Sequence, residues 1–294
     1  MKEAKSLTVT YLVQTSMASL NGSDKEADNI SSIKKITRGT EEYPYGSSQW
    51  VRRALRDQLS NLGWELSEGV ESTIAKGAAT TQKMPDKYID DDLFGFMGTE
   101  KADETKKGSA IKRTSPVRVS PLVSFDKYEG DLDFGTNYMS VKAGGNPNIF
   151  ETEIHSGIYR GTVLIELDRV GCGEGFENEL SSIEKAKRVK AFLLALKNLW
   201  SSGRQTRFLT DISPKFVAAA ILKVKNPVFL ESVAPLNGGI NVELLQETLD
   251  DFKEEIIEHV FGARKSLFDG LPDKTLYLKD AFASMGEWVD RHYL

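Results

Sequence analysis

The sequence predicts an α/β fold of the α+β kind, a single domain in which strands and helices interleave. Three observations carry that expectation. Ser6–Thr15 and Glu153–Val170 are rich in β-branched and aromatic residues, as strands are. From Gln49 to Leu62, Val51, Leu55, Leu59 and Leu62 fall on one helical stripe. Ser181-Ser182-Ile183-Glu184 has the spacing of a capping box and opens a second helix.

Taken in order, the first strand is SLTVTYLVQT (Ser6–Thr15), followed by a polar stretch, Ser19–Gly46, with turn signals at Asn21-Gly22 and Gly39. Its centre, ISSIKKITRG, places Lys34, Lys35 and Arg38 in the lead-in to the Gln49–Leu62 helix. Asp90–Gly108 combines a packed insertion, DLFGFM, with a charged run, Thr99–Gly108, that reads as a mobile loop. RTSPVRVSPLVSF (Arg113–Phe125) alternates well enough for a strand, its prolines suggesting an edge. Glu153–Val170 reads as one long strand with a bend at Gly157 or Gly161. The second helix runs to Trp200, and its AFLLALKNLW half is apolar nearly all round, hence buried. After a turn-rich Ser201–Pro214, Lys215–Val224 is a strand. Asn241 caps a third helix whose buried stripe is Leu245, Leu249, Phe252 and Ile256. A short helix, Ala281–Leu294, ends the chain. Strand, helix, strand, strand, helix, strand is the order of the ferredoxin-like or RNA-recognition-motif unit.

Composition narrows the function. Hydrophobic content of 40% with 28% charge describes an ordinary globular protein, and 294 residues supply ample core. One cysteine, Cys172, excludes a disulfide framework, and with only His155, His259 and His292 a Cys/His zinc site is not expected. The early apolar run, Leu7–Val13, is too short for a signal or spanning segment, so a cytoplasmic protein without membrane contact is expected. The net charge of −5 argues against a nucleic-acid coat that is basic all over, yet the charge is segregated. Asn29–Arg56 carries six basic residues against two acids. Gln49, Arg52, Arg53 and Arg56 share one face in the first turns of a helix, where the dipole is already positive and no acid precedes Asp57. An external anion would relieve that crowding, and Ser47 and Ser48 offer hydroxyl and backbone donors beside it. A merely solvated basic face is the plainer reading of the same pattern.

In order along the chain, SLNG, SSIKKITRG, PYGSSQWVRRALRDQL, DDDLFGFMG, IYRGTVLIELDRVG and SSGRQTRF resemble the CRISPR-associated backbone subunit of type I-B Cascade, the DevR autoregulator family. The resemblance implies one RRM-like palm over residues 1–294, with a finger insertion at 63–112, a thumb-associated turn at 201–214 and a C-terminal helical part at 241–294. It further implies that several copies polymerise along one CRISPR RNA, displace a base at regular intervals and leave the rest to pair with a target DNA strand, beside other Cascade subunits. No catalysis, cofactor or metal is implied. The palm residues that match the gripping motif are Asn21, Lys34, Lys35, Ser48, Gln49, Arg52, Arg53 and Arg56, joined by Arg38 of the basic lead-in. Arg204 and Gln205 match the turn at the thumb base. Guanidinium forks suit phosphate without base preference.

Two other classes stay open at this stage. A metal-dependent nuclease could use Asp90, Asp91 and Asp92, although consecutive aspartates diverge on any regular element and a solvated turn is the simpler reading. Asp28 lies at a place that resembles where type III relatives carry a target-cutting aspartate. A transcriptional autoregulator would need a duplex-reading element, and no helix-turn-helix is legible. The acidic third helix reads as a solvated face, or as a surface that meets the basic track of a neighbouring copy through Glu254 and Glu255. His155, Trp50, Trp64, Trp200 and Trp288 read as core or interface residues.

Overall fold

Strand Ser6–Ala18 is the centre of the molecule. Its alternation sends Leu7, Val9, Tyr11 and Val13 into one core and Leu12 into another on the opposite side of the sheet, as a period of two requires. The computed structural model describes residues 3–22, 30–67, 81–99, 110–142, 144–146, 148–201 and 205–294.

Ser6–Ala18 pairs antiparallel with Phe216–Leu222 on one side and with His155–Glu166 on the other. Val117–Val119 and Leu122–Ser124 continue the sheet beyond His155–Glu166. With helices Ser48–Asn61 and Ser182–Lys197 on one face, the strands stand in the spatial order four, one, three, two. This is the ferredoxin-like arrangement of an RRM-like palm. Val51, Leu55 and Leu59 of the first helix meet Val189, Phe192 and Leu196 of the second, and Met285, Trp288 and Val289 of a final helix, Leu278–Tyr293, close the same layer. Each such buried side chain contributes about 1.5–3 kcal/mol. The other face is covered by Phe229, Val233 and helix Val242–Asp251 through Leu245.

The structure departs from the sequence expectations in six places. The polar lead-in is a β-hairpin, Lys35–Arg38 with Glu41–Gly46, turned at Gly39 with φ +65°, and it lengthens one edge of the sheet through Leu122–Ser124. The Arg113–Phe125 strand is split at Ser120-Pro121, where Thr162 donates its N–H to the Ser120 hydroxyl across the gap, and its Leu122–Ser124 part is not an edge but is paired on both sides, with His155–Glu166 and with Glu41–Gly46. The Glu153–Val170 strand runs only from His155 to Glu166, and of its two expected bends the ladder is unbroken at Gly161 but shifts register beside Gly157, between Thr15 and Ala18 of the first strand. Gly161 is there for packing: a Cβ would lie 2.6 Å from the Tyr11 hydroxyl. The second helix ends at Lys197, before Trp200. The acidic helix ends at Asp251, and Ile256–Ala263 is a strand on the outer side of Phe216–Leu222. Glu254 and Glu255 lie in the turn between them. Finally, Asp90–Asp92 are not a solvated turn. They lie in helix Ile89–Phe94 and are buried.

The insertion after the first helix continues from Ile89–Phe94 into a hairpin, Phe96–Thr99 with Ala110–Arg113. Gly95, at φ +68°, makes the junction, where any side chain would collide with the Arg113 carbonyl. Asp28 and most of the charged Thr99–Gly108 run lie outside the described residues. No described helix is long and apolar enough to cross a membrane.

Candidate nucleic-acid interface

The basic face is built on helix Ser48–Asn61. Ser47 caps it, its hydroxyl accepting the Trp50 N–H at 3.3 Å, and Val51, Ala54, Leu55, Gln58 and Leu59 are buried beneath it. Leu62, expected in the stripe, is the exposed C-terminal cap. Asn21 fixes the helix entry. Its Oδ1 accepts the Ser47 N–H at 2.9 Å, and its carbonyl accepts the Lys34 N–H at 2.9 Å. One asparagine therefore ties the end of the central strand to both the basic hairpin and the basic helix.

The three arginines differ in how their charge is met. The Arg53 side chain is 77% exposed and pairs with Asp57 at 2.9 Å, a contact of at most about 1 kcal/mol. Arg56 reaches the buried Asp90 at 3.3 Å and lies over the Phe94 ring at 4.6 Å. Arg52 is half-buried, and no described acid faces it. Its Nε is buried with no hydrogen-bond partner among the described residues, and burial, together with the nearby Arg56 and Arg118 charges, pushes its pKa down. A guanidinium stays protonated through such a shift, so the positive charge remains and calls for an anion. Arg118, which the sequence reading missed, projects outward from the short Val117–Val119 strand and pairs with Glu166 at 2.7 Å. Its signal was the outward position in the alternating PVRVSP run.

The remaining expected residues fall into distinct environments. Ser48 and Gln49 stand together in the first turn, the Ser48 hydroxyl 3.3 Å from Gln49 Oε1. Lys34 is half-buried, with no ion pair among the described residues, and Arg38 lies over Tyr43 on the exposed hairpin. Lys35 is engaged within the chain: its Nζ is 2.8 Å from Glu153 and 3.5 Å from Glu42, above the Tyr128 ring. Gln205 accepts the Thr210 N–H at 2.9 Å, and Arg204 lies outside the described residues. Trp50 and Trp64 pack against the main core. A cleft of about 870 Å³ opens beside the helix, lined by Arg53, Arg56, Ser60, Trp64, Gln82 and Asp90.

The three consecutive aspartates point three ways. Asp90 accepts the Ser67 N–H and faces Arg56; burial, the largest influence, pushes its pKa up. Asp91 accepts the Met84 N–H. Asp92 takes Arg113 at 2.5 Å, Arg188 at 2.8 Å and the Gly171 N–H at 3.1 Å. Their carboxylates do not converge, and no group of three metal-ligating side chains occurs among the described residues.

Comparison with known proteins agrees with this architecture. The family model described as CRISPR-associated negative auto-regulator DevR/Csa2 matches residues 7–238. The CRISPR-associated protein Cas7/Cst2/DevR of Myxococcus xanthus is 30% identical over 234 residues, covering 74% of this chain and 72% of that protein. The aCascade subunit Cas7/Csa2 2 of Saccharolobus solfataricus is 26% identical over 137 residues, 42% of each chain. Two solved chains, from a CRISPR RNA-guided surveillance complex and from one in a pre-nicking state, share the fold at TM-scores of 0.56 and 0.62. They do so with 15% and 14% identity, over 96% and 97% of this chain and 99% of each of theirs. With its palm topology, its basic helix and these matches over most of its length, the chain belongs to the CRISPR-associated DevR/Csa2 family of Cas7-type proteins.

Proposed function

We propose that this chain is the CRISPR RNA-gripping backbone subunit of a type I-B surveillance complex. Several copies polymerise along one guide, each holding its phosphates and leaving bases free to pair with a target DNA strand. The observation that carries this reading is Arg52, a half-buried guanidinium whose Nε has no partner among the described residues, crowded by Arg56 and Arg118. A phosphate bridging Arg52 and Arg56, with Lys34, Ser48 and Gln49 around it, supplies the missing negative charge. Recognition then follows backbone shape and guide pairing, not base identity. Residues 63–112 act as the finger and 201–214 as the base of the thumb, with Arg204 and Gln205 completing the grip. The role is binding, without catalysis; the divergent Asp90–Asp92 carboxylates, Asp90 on Arg56 and Asp92 on Arg113 and Arg188, support it.

The family description, a negative auto-regulator, favours one other reading, negative autoregulation through duplex DNA. Competition separates the two. Single-stranded RNA of arbitrary sequence should displace a labelled RNA at far lower concentration than a duplex bearing the promoter of the chain's own operon. Preferential displacement by the duplex would overturn the guide-gripping reading.

A further inference from the structure

Helices Ser182–Lys197 and Leu278–Tyr293 lie side by side on the helical face of the sheet, and a groove of about 290 Å³ runs between them. Leu193, Leu194, Phe282 and Ala283 make it apolar, and Leu194 is 42% exposed. The groove is open at Gly286, where a Cβ would meet nothing nearer than Lys190 Cδ at 3.8 Å. The rim is cationic. Lys190 pairs with Asp290 at 2.6 Å, Lys279 reaches only Asp280 at 4.0 Å, and no described acid pairs with Lys197. An apolar floor with lysines at its edge fits an acidic helix that carries an apolar anchor.

The chain itself carries such a helix, on the opposite face of the sheet. Val242–Asp251 contains Glu243, Glu247, Asp250 and Asp251 and no basic residue. Leu245 buries it in the second core, leaving Glu243, Glu247 and Asp250 on the solvent side behind Val242, which is 40% exposed. We propose that the groove receives the Val242–Asp251 helix of a second copy of this chain. Groove and helix lie on opposite faces, so one copy cannot close the contact on itself. Two copies joined this way leave one groove and one helix free, and the contact propagates head to tail. The alternative seat for the acidic helix, the Arg52–Arg56 face, would set its carboxylates in competition with phosphate. Helix Ser182–Lys197, which packs against both the arginine helix and the final helix, places the groove on its far side.

The inference rests on the multi-copy backbone reading, and its test keeps the two apart. The full-length protein is followed by sedimentation velocity with a mixed-sequence RNA long enough for one copy and with one long enough for several. Lys197→Glu with Lys279→Glu should leave one-copy binding unchanged and weaken multi-copy assembly about tenfold or more, the effect of reversing close interfacial charges. Glu243→Lys with Glu247→Lys should do the same, and the four changes together should restore assembly. Wild-type assembly by the lysine double variant, loss of its one-copy binding, or no rescue in the combined variant would overturn the groove contact. Failure of the wild type to bind the one-copy RNA would instead overturn the guide-gripping reading. As a direct readout, Leu194→Cys and Val242→Cys in a Cys172→Ser background should form a disulfide-linked ladder; monomer alone under oxidation would count against the contact.

Discussion

Asp92→Asn is the sharpest test of what holds the insertion to the palm. Asp92 is fully buried and its two oxygens take Arg113 at 2.5 Å and Arg188 at 2.8 Å, with the Gly171 N–H at 3.1 Å from both. The side chains of Arg113 and Arg188 are only 1% and 2% exposed, so neither can turn to water. Arg113 also donates to the carbonyls of Asp92, Arg169, Cys172 and Glu174, which hold it in place once its counter-charge is gone. Asparagine keeps the shape, removes the charge and points an N–H₂ group at a donor. Breaking a buried pair by removing one partner costs about 3–5 kcal/mol. For a chain of 294 residues that lowers Tm by about 5–8 °C. Urea titration followed by circular dichroism, with Arg53→Ala as the exposed control expected to shift stability by no more than about 1 kcal/mol, measures it. A loss under about 1 kcal/mol for Asp92→Asn would refute the claim that this network anchors the insertion.

Two further outcomes follow from neighbouring residues and from pH. Lys35→Met should lower stability by breaking the Glu153 pair while leaving the salt dependence of RNA binding unchanged; Lys34→Met should do the reverse, as denaturant titration and a binding salt series would report. His155, held by the Tyr159 hydroxyl and the Lys127 carbonyl, and His259, beside Phe261, both have pKa values pushed down, chiefly by burial, against the opposing pull of Asp126 and Asp131 at His155. The unfolded chain then binds more protons than the folded one below about pH 6.5. Stability is full above that value and falls as pH drops through the depressed folded values. Melting between pH 7.5 and 5 should show this fall, reduced in His155→Gln; an unchanged slope would contradict it.

The palm was legible because its signals are local. The Val51–Leu55–Leu59 stripe, the capping serines at 47 and 181 and the β-branched first strand each announce their element within a few residues. What was not legible depends on distant partners. Asp90–Asp92 read as a solvated turn because nothing nearby neutralises them, whereas Arg113 and Arg188 arrive from 21 and 96 residues away. The pairing of Lys35 with Glu153, 118 residues on, is invisible from its surroundings, which show only a basic lead-in. The 35–46 hairpin lies at the sheet edge with polar residues on both faces, so no alternation marked it. Ile256–Ala263 carried β-branched and aromatic residues, but the acidic run before it drew the helical reading onward.

The central claim, that the arginine helix grips an RNA backbone, is tested most directly by the salt dependence of binding to single-stranded RNA of arbitrary sequence. Wild type is compared with the triple variant Arg52→Ala, Arg53→Ala, Arg56→Ala. Each phosphate contact on a single strand contributes about 0.7 to the slope of log K against log salt, so losing the phosphate that Arg52 and Arg56 bridge should make it shallower by at least about 0.7. A slope reduced by that amount, with the variant still folded, is the predicted result. Equal slopes in the two proteins would contradict the account.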